Sequence, residues 1–335
     1  MKVYRNGSLK KFNTFSVDER AKVLVEIDKV NDLPTFLSKE NHKDKMLVLG
    51  GGSNILFTKS YEGIIISLKN KGIELIEEDE NNVLIKISSG ESWNDFVLWA
   101  VKNNFGGVEN LSLIPGNVGA APIQNIGAYG VELKDVFHSC KGIMLDSLNE
   151  FELTKSECEF NYRSSIFKST YRNKTIITSV KLILTKSKHN FNIDYKGLKE
   201  NLLDRELTLK NISDQVIRIR KSKLPDPKAF GNCGSFFKNP IIDNLRYEYL
   251  LNKFPGIPFF KIDNNNYKIS AAWLIDQSNF KNKKVKNVGV YTNQPLVIIN
   301  HGNAKGKDIL HFANEIKDTV HRNFEIELKE EVLIL

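Results

Sequence analysis

Three stretches of the chain carry residue types that could do chemistry. The segment GNCGSFFKNP, residues 231–240, places a single hydroxyl, Ser235, between a glycine and two phenylalanines. It is too rich in glycine for a helix interior and too irregular for a plain strand. It reads as a turn that delivers a hydroxyl beside aromatic and basic neighbours. Such a serine could attack a substrate, give up a proton, or only cap its own turn. The G-x-S-x-G elbow is absent, which disfavours hydrolysis. The second stretch is Gly50, Gly51, Gly52, Ser53 and Asn54, directly after an apolar run. Consecutive glycines let backbone N–H groups approach a phosphate, and they equally make a tight turn out of a strand. Neither GxGxxG nor GxxxxGK[ST] is present. The third stretch, PGNVGAAPIQNIGAYG at 115–130, holds Pro115, Gly116, Gly119, Gln124, Asn125, Gly127 and Ala128 without one charged side chain. It suits a flat ring with polar edges, such as a flavin, or a tightly wound buried turn.

The elements that must position these residues alternate between strand and helix. Strands are predicted for AKVLVEI, Met46 to Leu49, GIIISL and NNVLIKISSG, and a helix enters at Asp32-Leu33-Pro34. SWNDFVLWAVKNNF reads as an amphipathic helix capped by Ser92. GIMLDSLNEFELTKSEC and TIITSVKLILTK read as further strands. Pro225 and Pro227 mark a boundary near Lys221. Beyond it come a helix in NLRYEYLLNKF, a strand in QPLVIIN, a long amphipathic helix in KDILHFANEIKDTVHRNF and a closing strand in EIELKEEVLIL. In that closing strand Ile326, Leu328, Glu330 and Val332 share one face, and Glu327, Lys329, Glu331 and Leu333 the other.

Composition narrows the function classes. The 335 residues are enough for two or three domains, and 41% of them are hydrophobic. The chain has no run of 18 apolar residues and no apolar stretch at its start, so neither a membrane span nor a secretory signal is expected. Three cysteines without CxxC spacing argue against a disulfide framework and fit a reducing cytoplasm. The net charge of +8 is spread along the chain, which fits anionic small ligands better than nucleic acid. His42, His138, His189 and His301 are isolated, and His311 and His321 are too far apart for an i, i+4 pair, so no metal is expected.

LGGGSNILF, LIPGNVGAAPIQNIGAYGVEL, YRSSIFK, KLPDPKAFGNCGSFFKNP and AAWLIDQ stand in order at spacings that resemble the UDP-N-acetylenolpyruvoylglucosamine reductase family. FNIDYKGL resembles the branch of that family with a tyrosine loop over the substrate. The resemblance covers nearly the whole chain. It implies an α+β fold: an FAD-binding domain of the vanillyl-alcohol-oxidase/PCMH type in two α/β subdomains, and a C-terminal α+β substrate domain. The expected bounds are 1–68 and 69–220 for the subdomains, the second joined by a final strand at 325–335, and 221–324 for the substrate domain. The resemblance further implies non-covalent FAD, NADPH as hydride donor, and UDP-N-acetylglucosamine enolpyruvate as substrate of a cytoplasmic monomer. It assigns proton donation to Ser235 and enolate stabilisation to Arg163 and Glu331. Tyr195, Lys223 and Asn239 match substrate-binding positions. Gly50 to Asn54 match the pyrophosphate loop, and Pro115, Gly116, Gly119, Gln124, Asn125, Gly127 and Ala128 match the flavin-binding run. Cys233 stands where the family often has Ala or Thr, and no proline precedes the final glutamates. Two other classes remain open from the residues alone: an FAD oxidase of the same fold class, and a basic nucleic-acid-binding protein without catalysis.

Overall fold

Strands with period-two burial and helices with one apolar stripe build an α+β fold in the computed structural model, which describes residues 1–39, 45–203 and 205–335. His42 lies outside the described residues. Two compact units make up the chain: one of Met1–Gly7, Ala21–Gly51 and Glu62–Lys221, the other of Ser8–Arg20, Gly52–Tyr61 and Ser222–Leu335. The boundary falls inside the glycine loop, between Gly51 and Gly52.

The first unit holds two sheets. One runs in the order Lys2–Ser8, Arg20–Ile27, Tyr61–Leu68, Lys45–Val48, with its last pair parallel. Its core gathers Val23, Val25, Ile27, Ile64 and Ile66 against Leu33, Phe36 and Leu37 of the helix Asp32–Leu37. The other sheet is antiparallel, in the order Glu150–Thr154, Phe137–Met144, Thr175–Thr185, Asn82–Ser88, Ile73–Glu78. Alternate residues Val180, Leu182 and Leu184 of its central strand are buried, as a sheet with one covered face requires. The helix Trp93–Lys102 belongs to the same core. Ser92 caps it by accepting from the Asp95 N–H at 3.3 Å, and Trp93, Phe96, Val97 and Ala100 form its buried stripe. The uncharged run at 115–130 is stitched along this sheet. Gly119 N–H donates to the Ser89 carbonyl at 3.0 Å, and Val118 N–H to the Glu91 carbonyl at 2.9 Å. A further helix, Leu209–Lys223, buries Leu209, Ile212, Val216 and Ile219. That spacing is helical, although no helix was predicted there.

In the second unit the long helix Gly306–Phe324 buries Ile309, Phe312, Ala313, Ile316, Val320 and Phe324. Each such side chain contributes about 1.5–3 kcal/mol when fully removed from water. Around it lie the three-stranded sheets Ile241–Asp243, Asn266–Ile269, Phe259–Lys261 and Lys284–Val285, Val288–Tyr291, Gln294–Asn300. Phe15, Val17 and Leu56, far away in sequence, share this core. The closing segment differs from expectation. Only Leu333–Ile334 forms a strand, parallel to Ile55–Leu56, and residues 325–335 cluster with the C-terminal unit rather than with the second flavin sheet. The physical reason is that Leu328 and Val332 are buried in the core around the long helix. The period-two alternation survives without regular pairing: Ile326, Leu328 and Val332 are buried, whereas Glu325, Glu327 and Lys329 are exposed.

Candidate active site

The residues singled out in the sequence divide between the two units. Gly50, Gly51, the 115–128 run, Arg163 and Tyr195 fall in the first; Gly52, Ser53, Asn54, Lys223, Ser235, Asn239 and Glu331 in the second.

In the first unit the glycine loop packs on the uncharged run with almost nothing between them. A Cβ on Gly51 would lie 2.8 Å from Gly116 Cα, and one on Gly50 would lie 3.0 Å from Ala120 Cβ. Two loops in that proximity present backbone rather than side chains, which is the surface a pyrophosphate and a flat polar ring need. The residues present therefore fit a dinucleotide such as FAD. Asn125 turns its side chain inward. It is fully buried in left-handed backbone, φ 45°. Its amide donates to Glu132 Oε2 at 2.9 Å and to the Asn161 carbonyl at 3.2 Å, and its oxygen accepts from Lys134 N–H at 3.0 Å. Its polar atoms are spent inside the protein, so a ligand would meet only its backbone.

That bond to Asn161 supports Arg163. Asn161 and Ser164 exchange backbone hydrogen bonds of 3.0 and 3.1 Å, leaving Tyr162 and Arg163 at the tip of a tight turn. Arg163 itself is left-handed, φ 53°, a conformation that costs a non-glycine residue about 1–2 kcal/mol. Its carbonyl accepts from Lys168 Nζ at 3.1 Å, and its guanidinium extends over Gly127, where a Cβ would lie 3.4 Å from Nη1. Lys168 Nζ also reaches Gln124 Oε1, at 3.4 Å. Tyr195 is exposed and meets Tyr129 edge-on at 5.0 Å between ring centroids. The segment before it is tied down by Asn110, which donates to the carbonyls of Tyr129 and Asn192, both at 2.8 Å. The sequence reading assigned no role to Asn110 or Asn161; their work is backbone support, which leaves no motif.

In the second unit Ser235 follows the left-handed Gly234, φ 72°, whose N–H donates to Asn232 Oδ1 at 3.0 Å. The segment 235–238 then runs between two neighbours. Phe236 N–H donates to the Leu296 carbonyl at 2.8 Å, and the Phe236 carbonyl accepts from Glu331 N–H at 2.9 Å. Phe236 and Phe237 are fully buried and clamp this segment. Ser235 and Glu331 thus sit on adjacent backbones. The Glu331 carboxylate also acts on Cys233: burial pushes that thiol well up, and the neighbouring negative charge pushes it further. Cys233 is accordingly a neutral filler beside the site. Asn54 reaches into the same place, its amide donating to the Glu331 carbonyl at 3.2 Å. Glu330 is engaged elsewhere, in a 2.7 Å ion pair with Lys317. Asn239 accepts from the Ala271 N–H at 3.0 Å, which leaves its NH2 group for a ligand. Lys223 is exposed at the end of its helix.

Residues 226–335 match the family described as UDP-N-acetylenolpyruvoylglucosamine reductase, C-terminal domain, and residues 21–146 match an FAD binding domain. A reductase of that name from Flavobacterium johnsoniae is 46% identical over 338 residues, covering all of both chains. The chain belongs to the UDP-N-acetylenolpyruvoylglucosamine reductase family. Another relative of that name, from Amoebophilus asiaticus, is 42% identical over 339 residues, again with both chains fully covered. The crystal structure of the Thermus caldophilus reductase has the same fold, with a TM-score of 0.71 at 22% identity over 100% of this chain and 99% of that one. Family membership makes the chain a flavin-dependent oxidoreductase with an α+β fold. Among the described residues no helix is long and apolar enough to cross a membrane, and no group of three His, Cys, Asp or Glu side chains could hold a metal.

Proposed function

We propose that this chain reduces UDP-N-acetylglucosamine enolpyruvate to UDP-N-acetylmuramate, a step of peptidoglycan precursor synthesis, with NADPH as the reductant. The observation that carries the reading is the backbone pairing of the Ser235 segment with Glu331, in a chain that aligns over its full length with reductases of this name. FAD, when bound, supplies the two-electron carrier between NADPH and the terminal vinyl carbon. Gly50 to Asn54 would hold its pyrophosphate, and the backbone of the 115–128 run its ring. Hydride arrival at the vinyl carbon leaves carbanion character on the adjacent carbon, spread into the carboxylate as an enolate. Arg163 neutralises that charge; a well-placed donor to developing charge is worth about 3 kcal/mol. Ser235 gives its proton to the carbon. A hydroxyl is a weak acid, but an enolate in a site that excludes water is a strong enough base to take it. Glu331 holds the reacting end in place, while Tyr195, Lys223 and the Asn239 amide bind the sugar nucleotide. The proposal takes the enzyme to be a cytoplasmic monomer without a nucleic-acid partner.

Anaerobic half-reactions test it. Purified protein should be yellow, NADPH should bleach it, and the enolpyruvyl substrate should restore the colour and yield the lactyl ether. Ser235→Ala should keep the first half-reaction and slow the second by about two orders of magnitude, roughly 3 kcal/mol. Flavin reoxidation near the wild-type rate in that variant would remove Ser235 from protonation. Wild-type protein that leaves the enolpyruvyl substrate unchanged would overturn the whole reading.

A further inference from the structure

Arg220 lies in the helix Leu209–Lys223 and in none of the motifs that point to the reaction. Its Nε is buried and has no hydrogen-bond partner in the protein. Tyr129 packs against the apolar side of the same helix, and the charged group that acts on Arg220 is the Arg163 guanidinium, not a carboxylate. Burial works against its charge, and the Arg163 guanidinium opposes it further; burial also holds the Tyr129 phenol in its neutral form, so it brings no compensating charge. An arginine cannot escape this by losing its proton. A partly buried guanidinium whose buried Nε has no partner, beside a second guanidinium, is costly unless an anion arrives between them. The surroundings are rigid in the way a binding site needs. Tyr129 is left-handed, φ 51°, with its carbonyl held by Asn110 and its ring against Tyr195. Gly127 lies under Arg163, where a Cβ would come into ordinary contact with its Nη1 at 3.4 Å.

We propose that Arg220 and Arg163 form a paired-guanidinium clamp on one oxyanion of the substrate, its carboxylate, and that Arg220 is a further binding residue for the reaction. The inference rests on the function proposed above. Two forks can hold the two oxygens of a carboxylate and keep doing so as charge builds on it. The substrate also carries a diphosphate, so the test separates the two anions. Binding of UDP-N-acetylglucosamine enolpyruvate and of UDP-N-acetylglucosamine, which has the diphosphate but no carboxylate, is titrated on oxidised enzyme by flavin absorbance or calorimetry. Arg220→Gln should weaken the first by ten- to hundredfold, on the order of one charge-assisted hydrogen bond, and leave the second within about twofold. Arg220→Lys keeps the charge but loses the fork; it should show the same selective loss, smaller, and stands in if the glutamine variant fails to fold. FAD content should match wild type in whichever variant is used. Equal weakening of both ligands would assign Arg220 to the diphosphate and overturn the proposal, as would no weakening of either. Failure of the parent reading looks different: wild-type enzyme would itself not reduce the enolpyruvyl substrate.

Discussion

Replacing Asn125 separates two contributions that the structure combines at one position. Asn125 makes three side-chain hydrogen bonds from a fully buried site, to Glu132, Asn161 and Lys134, and does so with φ at 45°. Asn125→Gly removes the three bonds but suits the backbone. At about 1 kcal/mol net for each bond, it should cost about 3 kcal/mol. Asn125→Ala removes the same bonds and adds a Cβ where left-handed backbone disfavours it, a further 1–2 kcal/mol or so. Alanine should thus be the worse substitution, against the usual ranking of the two residues inside regular structure. The assay is urea unfolding of both variants followed by circular dichroism, with midpoints compared at equal slope. Both variants should also lose turnover, because the Asn161 carbonyl that Asn125 holds begins the turn bearing Arg163. Glycine and alanine variants of equal stability would refute the backbone contribution. Two variants within about 0.5 kcal/mol of wild type would refute the role of Asn125 as a structural tie.

Glu109 gives a pH-dependent test. Burial raises its carboxyl above the ordinary 4.5, with partial relief from the backbone N–H groups of Glu109 and Gly107 and from His189. A raised folded value means that the stabilising contribution is complete below 4.5 and is lost as pH rises through the folded value. Glu109→Gln does not titrate, so its urea midpoint should improve relative to wild type as pH climbs from about 4.5 to 7.5; a pH-independent difference would count against this. Glu331→Gln should lower turnover by two or more orders of magnitude, about 3 kcal/mol, with FAD retained. Glu330→Gln should stay within a few-fold in turnover and lose about 0.5 kcal/mol of stability with its Lys317 partner; the reverse pattern in steady-state kinetics would sink the assignment.

What could be read from the sequence was what local periodicity and motif spacing encode. The Ser92 cap and the stripe of Trp93, Phe96, Val97 and Ala100 were legible because cap and period agree. The two faces of residues 326–332 were legible from parity, and their burial follows it, although regular pairing is confined to Leu333–Ile334. The helix Leu209–Lys223 escaped because its apolar residues are sparse among Lys, Arg, Asn and Asp, though the spacing of Leu209, Ile212, Val216 and Ile219 was a usable signal. The strands Ile241–Asp243 and Phe259–Lys261, three residues each, are too short to show alternation. Arg220 escaped for a different reason. Its neighbours Tyr129 and Arg163 come from distant parts of the chain, so nothing local marks it out.

One device recurs in both units. In each, an asparagine from a glycine-rich stretch donates its amide to a backbone carbonyl at or beside a residue proposed for the reaction. Asn125 holds Asn161, whose turn presents Arg163, and Asn54 holds the carbonyl of Glu331 itself. An amide is suited to this because it gives a strong directional donor without adding a charge next to an electron carrier. A serine would be too short to span from the cofactor segment to the neighbouring chain. On the proposed assignment, the cofactor-binding segments and the reacting residues are therefore not independent modules. A backbone shift in either glycine-rich stretch would be passed, through one hydrogen bond, to the position of Arg163 or Glu331.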